Sequence, residues 1–246
     1  MFREIRNALP SADFMYYGDT AQVPYGGKSD DEIARLTLLA VALLKQRQPD
    51  LVVIACNTAT SVAISMVRKR NPGLPVVGVV PVLKTAAEHT RTKHAAVLAT
   101  DATLKSTSYR ELKERFAGGT DMLELALPEW VTFVERGNLD GDDVEQSVQE
   151  VADKVTAFNA DVVALGCTHF PFLLPVIEKA MPDVEVLDSG PAVARQVVHV
   201  LTNNGKLPAT NGSGTVRYYC SGDPGQFSAV ATRLLGERVS AEQVRA

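Results

Sequence analysis

Short runs rich in Val, Ile and Leu recur along the chain, each ending in a polar break that leads into a longer mixed stretch. Two of these runs say nearly the same thing. Asp50-Leu-Val-Val-Ile-Ala-Cys56-Asn57-Thr58 recurs as Asp161-Val-Val-Ala-Leu-Gly-Cys167-Thr168-His169. An apolar, β-branched run of this length predicts a strand buried on both faces. The Cys and small polar residues that follow suit the start of a helix. Helices are therefore expected over about 59–70 and 172–181.

The likeness extends further. Phe2-Arg-Glu-Ile-Arg6 matches Tyr109-Arg-Glu-Leu-Lys113, and each precedes an apolar strand candidate, at 14–17 and 122–126. Pro72-Gly-Leu-Pro-Val-Val-Gly78 matches Pro182-Asp-Val-Glu-Val-Leu-Asp188. Strands alternating with helices predict βαβ units and a parallel sheet in each copy. The expected fold is α/β, with two similar parallel-sheet domains related by a pseudo-two-fold duplication and an active site at their interface. The first domain is placed at 1–94 plus 191–246, the second at 95–190. A loop is expected over 203–214, before a last strand at 216–220.

One element lacks its counterpart. The helix near Tyr109 follows a strand and turn, His94-Ala-Ala-Val-Leu-Ala-Thr100-Asp-Ala-Thr103, but only Met1 stands before the helix at Phe2. By internal symmetry a strand is missing from the first copy, and truncation is the expectation. The alternatives are that this copy never had the strand, or that Val216–Cys220 replaces it.

Composition narrows the function. A net charge of −4 over 246 residues gives no basic footprint for nucleic acid or an anionic membrane. No apolar run approaches the roughly 20 residues of a membrane span. Three cysteines do not make a disulfide framework, so free thiols and a cytoplasmic location are expected. Nucleotide-binding glycine motifs and clustered metal ligands are not evident, so no cofactor and no metal are expected.

Chemistry concentrates at the two strand ends. Cys220 reads as a small buried hydrophobe. Cys56 and Cys167 each stand before a helix, whose N-terminus favours a thiolate. Two thiols on opposite faces of a carbon suit inversion by proton transfer, one removing the α-proton and the other returning one. Backbone N–H groups near Asn57-Thr58 and Thr168-His169 suit a substrate carboxylate. His169 suits proton exchange with Cys167, with helix capping as its bland alternative. No comparable helper for Cys56 is evident.

At these residues the chain resembles the glutamate racemases of the cofactor-independent aspartate/glutamate racemase superfamily. The motifs are Tyr17-Gly-Asp-Thr-Ala-Gln-Val-Pro-Tyr25-Gly26, Ala55-Cys-Asn-Thr-Ala-Thr-Ser61, Val97-Leu-Ala-Thr-Asp-Ala-Thr103 and Gly166-Cys-Thr-His-Phe-Pro-Phe-Leu173. The resemblance implies glutamate as the small-molecule substrate and D-glutamate made for peptidoglycan. It implies Cys56 and Cys167 as acid/base thiols, with His169 helping Cys167. Substrate binders would be Tyr25, Gly26, Asn57, Thr58, Thr103, Thr168 and His169, with Thr100 and Glu135 as further candidates. A solvated helix face is the other reading of Glu135. A homodimer is compatible with the family.

Three departures stand out. The family's opening strand ending in Asp-Ser-Gly, whose Asp assists the first thiol, has no match. Ala126-Leu-Pro128 stands where Cys-Pro is common, and Phe170 where Tyr is common. A catalytically impaired homologue with a binding or regulatory role is therefore one alternative. A racemase of aspartate or a related amino acid is another, because side-chain specificity rests on few pocket residues.

Overall fold

The structure is a computed structural model that describes residues 1–209 and 212–244. The loop expected over 203–214 therefore includes two positions outside the described residues. The chain divides into two compact units. One comprises Met1–Ala55, Val62–Val79 and Gly190–Ala246, the other Cys56–Ser61 and Val80–Ser189. Residues 56–61 and 80–94, assigned to the first domain from sequence, fall in the second unit. Helix α4 (Leu83–His89) shows why: Leu83 and Ala86 pack with Ala95, Val97 and Ala99.

The second unit is built on one parallel sheet in the order β5-β4-β6-β7. Its strands are β4 (His94–Ala99), β5 (Asp121–Ala126), β6 (Val162–Leu165) and β7 (Glu185–Leu187). Central β4 is fully buried from Ala95 to Ala99, as its unbroken apolar run requires. Four helices follow β4: α5 (Asp101–Lys105), α6 (Thr107–Phe116), α7 (Pro128–Glu135) and α8 (Asp142–Ala157). In α8, Val144, Val148, Val151, Ala152 and Val155 form one buried stripe, the spacing of an amphipathic helix. The helix expected over 172–181 starts as a 3-10 turn, Phe170–Leu173, before α9 (Leu174–Ala180). Pro175 explains the delay, since it has no N–H to donate to the carbonyl of Pro171.

The first unit departs from its twin. Its strands are β1 (Phe14–Gly18), β2 (Val52–Ile54), β3 (Val76–Gly78), β8 (Val216–Cys220) and β9 (Ala241–Gln243). They form not one sheet but two, β1-β8-β9 and β2-β3, all parallel. The expected single sheet is corrected here. The reason is the unmatched strand: β4 joins β5 to β6 in the second unit, and no described strand joins β1 to β2. Val216–Cys220 does not replace it, because β8 pairs with β1 and β9. Helices α1 (Phe2–Ala8) and α10 (Gly190–Asn203) lay Ile5, Leu9, Val193 and Val197 against Val77 and Val79. Helix α2 (Asp30–Lys45) opens on Ser29, whose hydroxyl accepts from the Glu32 amide. Helix α3 (Asn57–Arg70) begins directly after Cys56. A twelve-residue α11 (Pro224–Leu235) packs on β8 and β9.

No helix among the described residues is long and apolar enough to cross a membrane.

Candidate functional site

Most of the residues singled out from sequence lie in the second unit: Cys56, Asn57, Thr58, Thr100, Thr103, Glu135, Cys167, Thr168 and His169. Tyr25 and Gly26 lie in the first, where Tyr25 Oη donates to Asp19 Oδ2 at 2.6 Å.

Cys56 sits at the mouth of α3, its carbonyl accepting from the Thr60 amide at 2.9 Å. Burial pushes its thiol up to about 11. The amides of Ala59 and Thr58 and the Thr58 hydroxyl bond the sulfur and oppose that rise, while negative charge on Cys167 adds to it. The thiol is therefore protonated at neutral pH.

The surroundings of Cys167 are different. Its Sγ lies 3.7 Å from His169 Nδ1, and His169 Nε2 lies 2.7 Å from Glu135 Oε1. Burial works against charging His169, yet its hydrogen bonds to Cys167 and Glu135 and their negative charge prevail. They raise it well above the ordinary imidazole value. The ring is thus an imidazolium at neutral pH, held between the Cys167 sulfur and the Glu135 carboxyl group. Glu135 comes from the last residue of α7, and the 3-10 turn after His169 is anchored by Phe170, fully buried edge-on against Trp130. Trp130 is fixed in turn by its Nε1–H donating to Ser147.

Beside Cys56, three buried hydroxyls close a triangle. Thr58 lies 3.0 Å from Thr100 and 3.2 Å from Thr103, and the latter two are 3.0 Å apart. Thr100 also caps α5 by accepting from the Thr103 amide. Asn57 is 4% exposed, and neither its Oδ1 nor its Nδ2 has a hydrogen-bond partner among the described residues. An orphaned buried polar group costs about 1–3 kcal/mol, and Asn57 carries two such atoms. Thr168 is half-buried. Gly166 has a steric reason to be glycine: a Cβ there would stand 2.9 Å from the Ala99 Cβ.

The sequence reading missed two things. The contact of Glu135 with His169 spans 34 positions; the resemblance made Glu135 a candidate, but nothing in the spacing tied it to His169. The closing of three threonines into one hydroxyl triangle had no signal in spacing. Among the described residues no group of three His, Cys, Asp or Glu is placed to hold a metal ion.

The comparisons with known proteins point one way. Residues 1–197 match the family model described as Asp/Glu/hydantoin racemase. A glutamate racemase of Ectopseudomonas mendocina is 38% identical, over 97% of this chain and 90% of the relative. One from Stutzerimonas stutzeri is 35% identical, over 98% and 91%. Among solved structures, glutamate racemase isoform RacE1 from Bacillus anthracis superposes with a TM-score of 0.89 at 29% identity, covering 99% of this chain and 92% of that one. The Escherichia coli enzyme, solved with L-glutamate and the activator UDP-MurNAc-ala, gives 0.87 at 30% identity, with the same coverage.

Proposed function

We infer that this chain, which belongs to the Asp/Glu/hydantoin racemase family, interconverts L- and D-glutamate and so supplies D-glutamate for peptidoglycan. The observation that carries the mechanism is the unequal setting of two duplicated thiols. Cys56 is buried and rests as a thiol, while Cys167 has His169 Nδ1 3.7 Å from its sulfur, with Glu135 behind the ring. A racemase needs that combination, one base and one acid.

In the forward step the Cys167 thiolate takes the α-proton of one enantiomer. The electron pair left on carbon delocalises into the substrate carboxylate. The Cys56 thiol then gives its proton to the opposite face, and the configuration is inverted with no net change in oxidation. The enzyme is left with Cys167 as thiol and Cys56 as thiolate, the state that handles the other enantiomer. His169, backed by Glu135, stabilises the Cys167 thiolate; the helix N-terminus and Thr58 stabilise that of Cys56.

Substrate binding falls to groups whose own fold leaves capacity to spare. Asn57 offers both a donor and an acceptor. The hydroxyls of Thr58, Thr100 and Thr103 can turn a donor from one another toward a carboxylate. Thr168 is kept by its motif, as are Tyr25 and Gly26 in the first unit.

The test is solvent deuterium incorporation at the α-carbon, followed for both enantiomers of glutamate and of aspartate. Glutamate should exchange and invert. Cys56→Ala and Cys167→Ala should each lower racemisation by about 10³-fold, the size of a lost general acid or base. Undiminished inversion in either variant refutes the two-thiol mechanism; preference for aspartate refutes the substrate.

A further inference from the structure

Glu135 and His169 meet at 2.7 Å, yet each belongs to a segment too short to hold its own place. Helix α7 has eight residues and no side-chain cap at Leu127, and the 3-10 turn after His169 has four. Pieces of one or two turns take their position from packing rather than from their own hydrogen bonds. Both are tied to α8, sixteen residues long and seated by its stripe of buried valines. From α8, Ser147 Oγ accepts the indole N–H of Trp130 at 2.9 Å, and Trp130 lies five positions before Glu135 on α7. Trp130 in turn meets Phe170, the residue after His169, edge-on with ring centroids 5.2 Å apart, and both rings are fully buried. Helix α8 also packs along α9, the continuation of that turn. All these elements lie in the second unit.

We propose that Ser147 and Trp130 are positioning residues for the Glu135–His169 pair: their hydrogen bond ties α7 to α8 and so keeps the Glu135 carboxyl group within reach of the imidazole. Apolar burial alone lets an aromatic ring turn or slide in its pocket. A directional bond from its one N–H fixes the ring and the helix that carries it. The consequence for His169 follows from distance. The groups acting on its ring are Cys167 and Glu135. A charge-assisted hydrogen bond weakens once its heavy atoms part beyond about 3.2 Å, so a slip of α7 by about 1 Å forfeits most of the support from Glu135. The ring would then hold its proton less tightly. This positioning role stands on geometry within one unit, and only its consequence for turnover rests on the racemase reading.

Substitutions in the whole chain test this. Ser147→Ala removes the acceptor, Trp130→Phe removes the donor but keeps a ring against Phe170, and Ser147→Thr keeps the hydroxyl. The first readout is the NMR titration of the His169 ring, which needs no turnover, with His89, His94 and His199 as internal references. Ser147→Ala and Trp130→Phe should each lower the His169 midpoint by about one pH unit, a tenfold loss of proton affinity, and leave the other histidines unmoved. Ser147→Thr should keep the parent midpoint. The second readout is glutamate racemisation: kcat should fall about tenfold in the first two variants while KM changes less than about twofold. If Ser147→Ala does not fold, Trp130→Phe decides by itself. An unmoved His169 midpoint overturns the proposal even where the Tm falls, because the bond then serves stability alone. A Ser147→Thr chain that behaves like Ser147→Ala overturns it too. Lowered midpoints in a chain whose parent does not racemise glutamate keep the positioning role and remove the racemase reading instead.

Discussion

Two cysteines in nearly identical local sequences sit in different electrostatic surroundings, and the difference comes from one residue each. Two positions after Cys56 the chain carries Thr58; two after Cys167 it carries His169. A hydroxyl can only soften the penalty of burial, whereas a charged imidazolium supports the thiolate. Glu135 completes this contrast, because its carboxylate keeps His169 protonated. Replacing it with Gln in a Cys56→Ala background removes a charge-assisted hydrogen bond. His169 should then lose its proton at lower pH, and less positive charge would face the Cys167 sulfur. Alkylation of Cys167 by iodoacetamide at pH 7 should slow about tenfold, equivalent to about 1.4 kcal/mol. Equal rates would show that Glu135 only packs there. Asn57 gives a second prediction, of opposite sign for stability and for function. Its amide is buried without a partner, so Asn57→Leu should raise stability by about 1 kcal/mol or more while raising the KM for glutamate. Chemical denaturation and steady-state kinetics read the two effects separately. A loss of stability would mean that the amide already serves the fold.

At the scale of elements, the central strands were legible because burial on both faces leaves an unbroken apolar run, as in β4 and β6; partly exposed strands were legible from apolar and aromatic residues between polar breaks. The runs expected at 14–17, 122–126 and 216–220 are strands within a residue of those limits. The helix expected from 172 was blurred because Pro171 and Pro175 split it into a 3-10 turn and a short α-helix. The site was legible in its cysteines and its polar followers, which are contiguous in sequence. It was not legible where it depends on long-range closure, as for Glu135 against His169. Asp161 shows the same limit. In the sequence it merely opens a strand motif, but in the structure it pins the loop between α4 and β4. Its carboxylate accepts from the hydroxyls of Thr90 and Thr92 and from the amides of Arg91 and Thr92. Burial alone would raise its pKa; these donors outweigh that and hold it well below the usual carboxylate range. A depressed folded value stabilises the protein above the unfolded value, about 3.9, and the benefit is lost as pH falls through the folded value. Asp161→Asn should therefore cost about 2 kcal/mol at neutral pH, and the gap to the parent should narrow below about pH 4. Urea unfolding at pH 7 and pH 3 measures both numbers, and a gap that is the same at the two pH values would contradict the assignment.

For the whole molecule, the duplication carries an energetic consequence. The second unit keeps a continuous four-stranded sheet around a fully buried β4, with Trp130, Phe170, Leu98 and Leu165 almost completely enclosed. The first unit holds its strands in two separate sheets, one of them only a pair of three-residue strands. Pairs of short strands are marginal without a third to extend them, and main-chain ladders next to solvent open readily. What secures the first unit is mostly side-chain packing: α1 and α10 against β3, and the ring cluster of Phe2, Tyr16, Tyr218 and Phe227. Arg6 and Glu237 add a two-pronged ion pair between α1 and the segment after α11, partly exposed and so worth little by itself. The two units should therefore not unfold together. In native-state hydrogen exchange under increasing denaturant, amides of β2 and β3 should open at lower free energy than those of β4 and β6. The separation should be about 2 kcal/mol or more, since a central strand such as β4 adds several ladder bonds worth about 1 kcal/mol each. Tryptophan fluorescence, which reports only on Trp130 in the second unit, should then lag the far-UV signal. Coincident transitions and a single opening free energy would mean that the broken sheet costs the first unit nothing, and that its helix packing alone matches an unbroken sheet in strength.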